Sequence, residues 1–387
     1  MSGPLDGVLV VDLTRVLAGP FCTMLLADLG ARVVKVEAPG GGDVTRSWGP
    51  PWDPASGLSA YYLSVNRNKE SIVLDLAAEA GREAVRILAR RADVVVENFP
   101  PGGLEKFGLS VAAMRSENPR LVTASITGYG RAGPDASAPG FDLLAQAGSG
   151  LMEITGTPDG GAMKVGVAIS DLLAGAFAAT GIATALFGRE ASGRGAHVEI
   201  DLFRSSLAAL VNVGQAALLT GEEAKRHGNA HPQIVPYRTF AASDGDFVIA
   251  AGTDPQFTRL AGVVRRPEWA EDPRYRTNPA RVENRRELEG ALENILRGAS
   301  RETWLVRCRA AGVPAGPVRG PLEALTSEGA RATKAVLSAG GLSFLATPVA
   351  VEGHTPRLDF PPALDSDGDR LRREFELPPA AHHRGPK

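Results

Sequence analysis

The sequence predicts an α/β protein, with a doubly wound, mostly parallel sheet in a large domain and a smaller α+β domain. Two observations carry this. Apolar runs of strand length alternate with helical patterns from residue 8 to residue 203, the pattern of a parallel sheet with crossover helices. After about residue 205 the texture changes to a hairpin pattern and several helical stretches. The length, 387 residues, leaves room for two domains or one large one.

The elements follow in order. VLVVD (8–12) is an apolar run that passes through LTRVLAGP (13–20) into FCTMLLADLG (21–30), a helical pattern stopped by Gly30. RVVKVE (32–37) completes strand, helix, strand at the length of a βαβ unit. A helix over 78–91 leads into the buried-strand pattern DVVVEN (93–98), and LVTASITGYG (121–130) and HVEIDLF (197–203) supply further strands. SSLAALVNVGQAALLTGEEAKR (205–226) reads as one long helix. TFAASDGDFVIAAG (239–252) alternates about Asp244-Gly245, a hairpin signal. Helical patterns cover 256–264, 285–296 and 301–312, and GVPAGPV (312–318) reads as a linker back to the first domain. The predicted large domain spans 1–205 together with about 325–387, the small one 226–320, with linkers at 206–225 and 321–324. The last ten or so residues, with His382 and His383, read as a loose tail.

Composition narrows the function classes. A net charge of -2 gives no global field towards nucleic acid or an anionic membrane, so an anionic ligand must be met by local cations. The two cysteines, Cys22 and Cys308, read as free thiols of a reducing cytoplasm. His227 and His231 have helical spacing, but Gly228 and Pro232 argue against a metal-binding helix, and no metal site is predicted. The N-terminus lacks a signal-peptide pattern. The apolar stretch after Asp171 offers about 16 positions, short of a bilayer span, and reads as a buried helix. A nicotinamide-dinucleotide site would need glycines at the first turn, where Val16 and Leu17 stand instead.

Asp171, at the head of the apolar helix in VGVAISDLLAGAFAATG, has two readings. It is either the helix N-cap, accepting from orphan N–H groups, or a partly buried nucleophile held ionised at a helix N-terminus.

The segments LDGVLVVDLTRVLAGPFCTMLLADLGARVVKVEAPGGGDVTR, NRNKESIVLDL, ADVVVENFPPGGLEKFGL, NPRLVTASITGYGRAGP, GFDLLAQAGSGLMEITG, ISDLLAG and GRGAHVEIDLF resemble the family III CoA-transferases, the group that contains formyl-CoA transferase. The resemblance runs from Leu5 to about Pro317. It implies that Asp171 is the nucleophile, forming a mixed anhydride with a donor acyl-CoA and then an aspartyl-CoA thioester that an incoming carboxylate attacks. Coenzyme A is then a substrate, and no permanently bound cofactor is implied. The resemblance further implies that Val16 and Leu17 face the adenosine half of CoA, that Leu74 and Asp75 lie beside the nucleotide, that Asn98 and Phe99 line the pantetheine path, and that Lys106 meets phosphate. An arginine that commonly stacks on adenine is replaced by Ala38, with Arg15, Arg46 or Arg67 as candidate substitutes.

Asp142 resembles a family acidic residue near the active centre and is the second catalytic candidate. A racemase branch carries histidine where this chain has Phe141, which exchanges no proton, so 2-methylacyl-CoA racemisation is the weaker alternative, beside a non-catalytic CoA-binding homologue. RHGNAHPQIVPYRTF resembles members that use short dicarboxylic acids such as succinate, which implies that Gly228, Asn229, His231 and Pro232 form a loop near the acyl end. Thr253 departs from the commoner asparagine, and LDSDGDRLRREF replaces the usual C-terminal stretch. The resemblance also implies an interlocked homodimer whose partners are an acyl-CoA and a small carboxylic acid, with no nucleic acid and no membrane.

Overall fold

The computed structural model describes residues 3–379, so His382 and His383 lie outside the described residues. Two compact units divide the chain, one from 1–152, 164–222 and 329–387, the other from 153–163 and 223–328.

The large unit is built on six parallel strands: β1 (Leu9–Asp12), β2 (Arg32–Glu37), β3 (Lys69–Val73), β4 (Val94–Glu97), β5 (Val122–Thr127) and β6 (His197–Asp201). Their order is β3-β2-β1-β4-β5-β6. That is the doubly wound order, and in such sheets ligands bind outside the strands' C-terminal ends at the reversal, here between β1 and β4. One face is covered by α1 (Ala18–Asp28) and α7 (Ile169–Ser192), whose Ala18, Cys22, Leu26, Ala174, Ala178 and Ile182 share a core with Val10, Val33, Val94 and Val122. The other is covered by α3 (Glu79–Arg91), α4 (Val111–Glu117) and α16 (Gly368–Phe375), packed against Val11, Val34 and Val95. α2 (Ala60–Val65), α5 (Asp142–Gly148) and α6 (Leu151–Ile154) lie in the connections, α6 at the boundary between the units.

β3 lacks the apolar signature of its neighbours because its polar residues are buried as partners. Lys69 Nζ reaches Asp12 Oδ2 at 3.2 Å, and Ser71 Oγ donates to Glu37 Oε1 at 2.6 Å. The divergent C-terminal stretch protects this edge strand: Asp365 accepts from the Val73 N–H at 2.7 Å and Asp367 from the Ser71 N–H at 3.0 Å. A two-stranded ribbon, β10 (Val336–Ala339) with β11 (Leu342–Leu345), completes this unit.

Several expectations need correction. The long helix expected over 205–226 is two, α8 (Leu202–Ala208) and α9 (Val211–Thr220), bent by 80° where Val211 takes φ +42° and ended at Gly221 in the left-handed conformation. Both belong to the large unit, which therefore extends past residue 205. α7 runs for 24 residues, until Gly193 stops it, so it is long and apolar enough to cross a membrane by length and composition. Its buried residues form one stripe, while Phe177 and Phe187 are exposed.

The small unit carries a three-stranded antiparallel sheet, β7 (Tyr237–Ala242), β8 (Gly245–Ala250) and β9 (Ala315–Pro317). The segment expected as a linker at 312–318 therefore contains a strand, because Ala315 and Pro317 register with Ile249 and Phe247. α10 (Asp254–Val263), α11 (Asn278–Glu283), α12 (Arg285–Leu296) and α13 (Arg301–Ala310) close its core around Phe247, Phe257, Leu288 and Trp304. Thr253 opens α10 in a capping box with Gln256. α14 (Pro321–Leu325) and α15 (Glu328–Ala332) lead out of it. The stretch 153–163 joins this unit because Arg226 Nη1 holds Glu153 through its carbonyl at 2.9 Å and its carboxylate at 2.6 Å, and Gly228 N–H donates to Gly156 O at 3.1 Å.

Candidate active site

α1 starts at Ala18 with no acidic residue in its first turn and no side-chain cap. Its amide dipoles therefore need an anion from elsewhere. α7 supplies it: the Asp171 carboxylate lies beside the Ala18 N–H, whose dipole acts to hold it lower. Gly175, one turn along α7, permits this approach, since a Cβ there would lie 2.5 Å from Ala18 O.

Asp171 is not the N-cap of its own helix. That position is Ala168, which makes no side-chain cap bond, and Asp171 is the third residue of α7. The cap comes from α5, where Asp142 Oδ1 accepts from the Ser170 N–H at 2.8 Å. Asp142 Oδ2 accepts from Gln146 Nε2 at 2.7 Å, and Gln146 Oε1 accepts from the Val165 N–H at 2.9 Å. The carboxylate that caps α7 thus lies beside the one α7 carries. Burial pushes the Asp171 carboxyl up to about 7, the Asp142 charge acts in the same direction, and the Ala18 N–H opposes both.

Tyr61, on α2, faces the same pair. Burial, then the charges of Asp171 and Asp142, push its phenol up to about 12, so it is neutral at physiological pH. Its ring meets Trp48 edge-on at 5.3 Å and packs with Leu17, Met24, Val65 and Leu172. The sequence reading missed the Ala18 N–H, Tyr61, Trp48, Ser170 and Gln146. A backbone amide leaves no mark in a sequence, and two aromatics in the irregular stretch 48–61 show no period.

At the reversal of the sheet the loops after β1 and β4 are joined. Asn98 Oδ1 accepts from the Arg15 N–H at 3.0 Å, and Asn98 Nδ2 donates to Arg15 O at 2.8 Å. The Arg15 guanidinium lies 5.8 Å from the centre of the Phe99 ring, which meets Phe107 edge-on. Of the three arginines that could replace the one missing at position 38, Arg46 is held by Glu37 at 2.7 Å and by the Tyr62 ring, and Arg67 is buried against Asp28. Arg15 is exposed.

Val16 is half-buried, but Leu17 and Leu74 are buried in the core, which leaves their side chains little surface for the expected adenosine contact. Asp75 Oδ1 accepts from the Ala77 N–H at 2.9 Å, an Asx turn at the end of β3. Lys106 is exposed, and Phe141 is 63% exposed immediately before Asp142. Gly228, Asn229, His231 and Pro232 belong to the small unit. There Asn229 Nδ2 donates to Thr239 Oγ1 at 3.1 Å, and Arg285 Nη2 donates to the carbonyls of His231 and Pro232 at 2.8 and 2.9 Å. Burial, then the charges of Arg285, His231 and Lys225, hold His227 below its ordinary range, which marks a locally positive loop.

The profile of CoA-transferase family III matches residues 5–368. An acetyl-CoA:oxalate CoA-transferase of Acetobacter aceti is 42% identical over 382 residues, covering 98% of this chain and 97% of that protein. A mouse (Mus musculus) succinyl-CoA:glutarate CoA-transferase is 45% identical over 315 residues, 81% of this chain and 72% of that one. A solved CAIB/BAIF family protein from Brucella suis superposes with a TM-score of 0.87 at 41% identity, covering 97% of this chain and all of that one. With the match running through the whole doubly wound sheet, the paired aspartates and the small unit, the chain belongs to CoA-transferase family III and is a CoA-transferase.

Proposed function

We propose that this enzyme moves coenzyme A from a short dicarboxylyl-CoA, succinyl-CoA foremost, to a second short carboxylic acid, with Asp171 as the covalent relay. The observation that carries the proposal is the half-buried Asp171 carboxylate meeting the N-terminal amide of α1 beside Asp142. Burial and the neighbouring charge leave its lone pairs weakly solvated and more basic than those of an ordinary carboxylate, which favours attack on a thioester.

In the first step an Asp171 oxygen attacks the donor's thioester carbon, the C–S bond breaks, and a mixed anhydride and CoA thiolate form. The thiolate attacks the Asp171 acyl carbon; the C–O bond to the donor breaks, and the donor leaves as its carboxylate. An acceptor carboxylate then attacks the aspartyl thioester, regenerating thiolate and a new anhydride. Attack of the thiolate on the acceptor's acyl carbon restores the Asp171 carboxylate. Each tetrahedral intermediate at the Asp171 carbon places negative charge on an oxygen, and the proposed acceptor of that charge is the neighbouring Ala18 N–H. Asp142 works from one side: its charge raises the basicity of Asp171, and its bond to the Ser170 N–H fixes the first turn of α7.

Val16, Asn98, Phe99 and Lys106, together with exposed Arg15, form the proposed CoA-binding edge at the sheet reversal. The small unit carries its own positive loop, with His227 and His231. The relatives named above act on oxalate and glutarate, in keeping with a dicarboxylate substrate. The enzyme is proposed to be a cytoplasmic homodimer: Cys22 and Cys308 are buried free thiols, and Leu218 and Leu219 on α9 are 83% and 82% exposed, an apolar surface that a second copy would cover.

The test is exchange from succinyl-CoA to a panel of acids including glutarate and oxalate, read by mass spectrometry, with hydroxylamine present. A hydroxamate on the Asp171 peptide, formed only with acyl-CoA, is the expected result. An active enzyme whose Asp171 peptide stays unlabelled would refute the covalent relay.

A further inference from the structure

The loop between β1 and α1 is held by side chains at three consecutive residues. Thr14 N–H donates to Asp12 Oδ1 at 2.9 Å, and Thr14 O accepts from Lys35 Nζ at 2.9 Å. Arg15 is bracketed by Asn98 through both its N–H and its carbonyl. Val16 N–H points between the oxygens of Asp43, at 3.3 and 3.2 Å. Two residues on, the Ala18 N–H meets Asp171.

Val16 has φ +71°. A β-branched side chain is a genuine outlier there and persists only where its surroundings over-determine it. Asp43 is the group placed to do so. It is 4% exposed, its Oδ2 lies 3.0 Å from the fully buried Lys35 Nζ, and its Oδ1 accepts from the Thr45 N–H and hydroxyl at 3.0 and 2.8 Å. Its own N–H donates to Glu37 Oε2 at 2.9 Å. Gly42, at φ +74°, is where the chain turns into Asp43; a Cβ there would lie 2.5 Å from Glu37 Oε2. The carboxylate is thus held by three donors, and its backbone by Glu37, before it takes hold of Val16.

We infer that Asp43 is a positioning residue of the transfer reaction: through the Val16 amide it holds the β1–α1 loop in the left-handed turn that aims the Ala18 N–H at Asp171. Asp43 touches neither substrate nor Asp171 in this role. Released from Asp43, Val16 relaxes to negative φ and the Ala18 N–H swings off its target. The inference rests on the covalent role proposed for Asp171.

The test is steady-state exchange between succinyl-CoA and glutarate across pH in Asp43→Ala, Val16→Gly and the double variant, with thermal unfolding of each. Asp43→Ala, which leaves no acceptor for the Val16 N–H, is expected to lower kcat about tenfold or more, the equivalent of releasing one strained residue. The groups facing Asp171 are Asp142, Tyr61 and the Ala18 amide. Losing the amide moves the acidic limb of the rate profile to higher pH, whereas loss of a nearby negative charge alone moves it lower. Glycine adopts positive φ without help, so in the Val16→Gly background the same alanine substitution should cost less than about threefold in kcat. The melting temperature lost with the Lys35 partner should not return. An acidic limb that stays or moves lower, or an unchanged penalty in the glycine background, overturns the assignment. If Asp43→Ala does not fold, Asp43→Ser, which leaves Lys35 on Thr14 O, is read in the same way. A wild type inactive with every acyl-CoA and acid pair removes the proposed function and this inference together, while an active wild type with the wrong variant response removes only the role of Asp43.

Discussion

Asp142 Oδ1 accepts the Ser170 N–H at 2.8 Å, so the carboxylate at the start of α5 caps the helix whose next residue is Asp171. One side chain sets both the position and the charge environment of its neighbour. The two roles separate by substitution. Asp142→Asn retains a cap acceptor and removes the charge, so the acidic limb of the rate profile should move below about 7, towards ordinary carboxylates. Asp142→Ala should move it in the same direction and also cost about 1 kcal/mol of stability, the usual value of a cap. Equal melting temperatures for the two variants would contradict the cap.

Asp171 binds its proton more tightly in the folded chain than in the unfolded one, since burial raises it to about 7. The sign follows directly: stability falls as pH rises from roughly 4, the unfolded value, to about 7, and the loss is complete above that. Asp171→Asn escapes this loss. It should melt at a higher temperature than wild type at pH 8, with the gap closing towards pH 4, while exchange falls by about three orders of magnitude or more. Calorimetry across pH checks the first outcome, and a gap independent of pH would show that Asp171 does not carry the raised value.

Arg15 stands exposed at the sheet reversal, with its backbone locked by Asn98. Arg15→Ala should raise KM for succinyl-CoA about tenfold, the value of one charge-assisted bond, and leave KM for succinyl-pantetheine unchanged. Equal effects on both substrates would place Arg15 away from the nucleotide.

The apolar face of α9 offers a test of assembly. Lysine at both Leu218 and Leu219 should shift sedimentation from dimer to monomer, because two charges would be buried without partners in any interface formed there. Dimers that persist unchanged would exclude this surface.

Much of the fold is legible in the residues. Strands β1, β2 and β4 carry valine-rich runs because both faces of a parallel sheet are covered, and the Asp244-Gly245 turn announces the hairpin of β7 and β8. β3 was hidden, since Lys69 and Ser71 look solvent-facing until Asp12 and Glu37 appear beside them. The single helix expected over 205–226 fails at Val211, where its apolar pattern continues across a backbone bend. Asp171 stood out as a lone carboxylate in an apolar helix, but its reading as an N-cap was a local inference, and the cap belongs to Asp142, 28 residues before the Ser170 whose N–H it accepts.

By itself the sequence determined the layered α/β order, the family likeness and the identity of the carboxylate in question, because periodicity and composition are properties of neighbours along the chain. Only the tertiary structure decided that the Ala18 amide, the Asp142 charge and the Tyr61 ring converge on that carboxylate. Hydrogen bonding and burial act over a few ångströms of space between segments that the chain order keeps far apart.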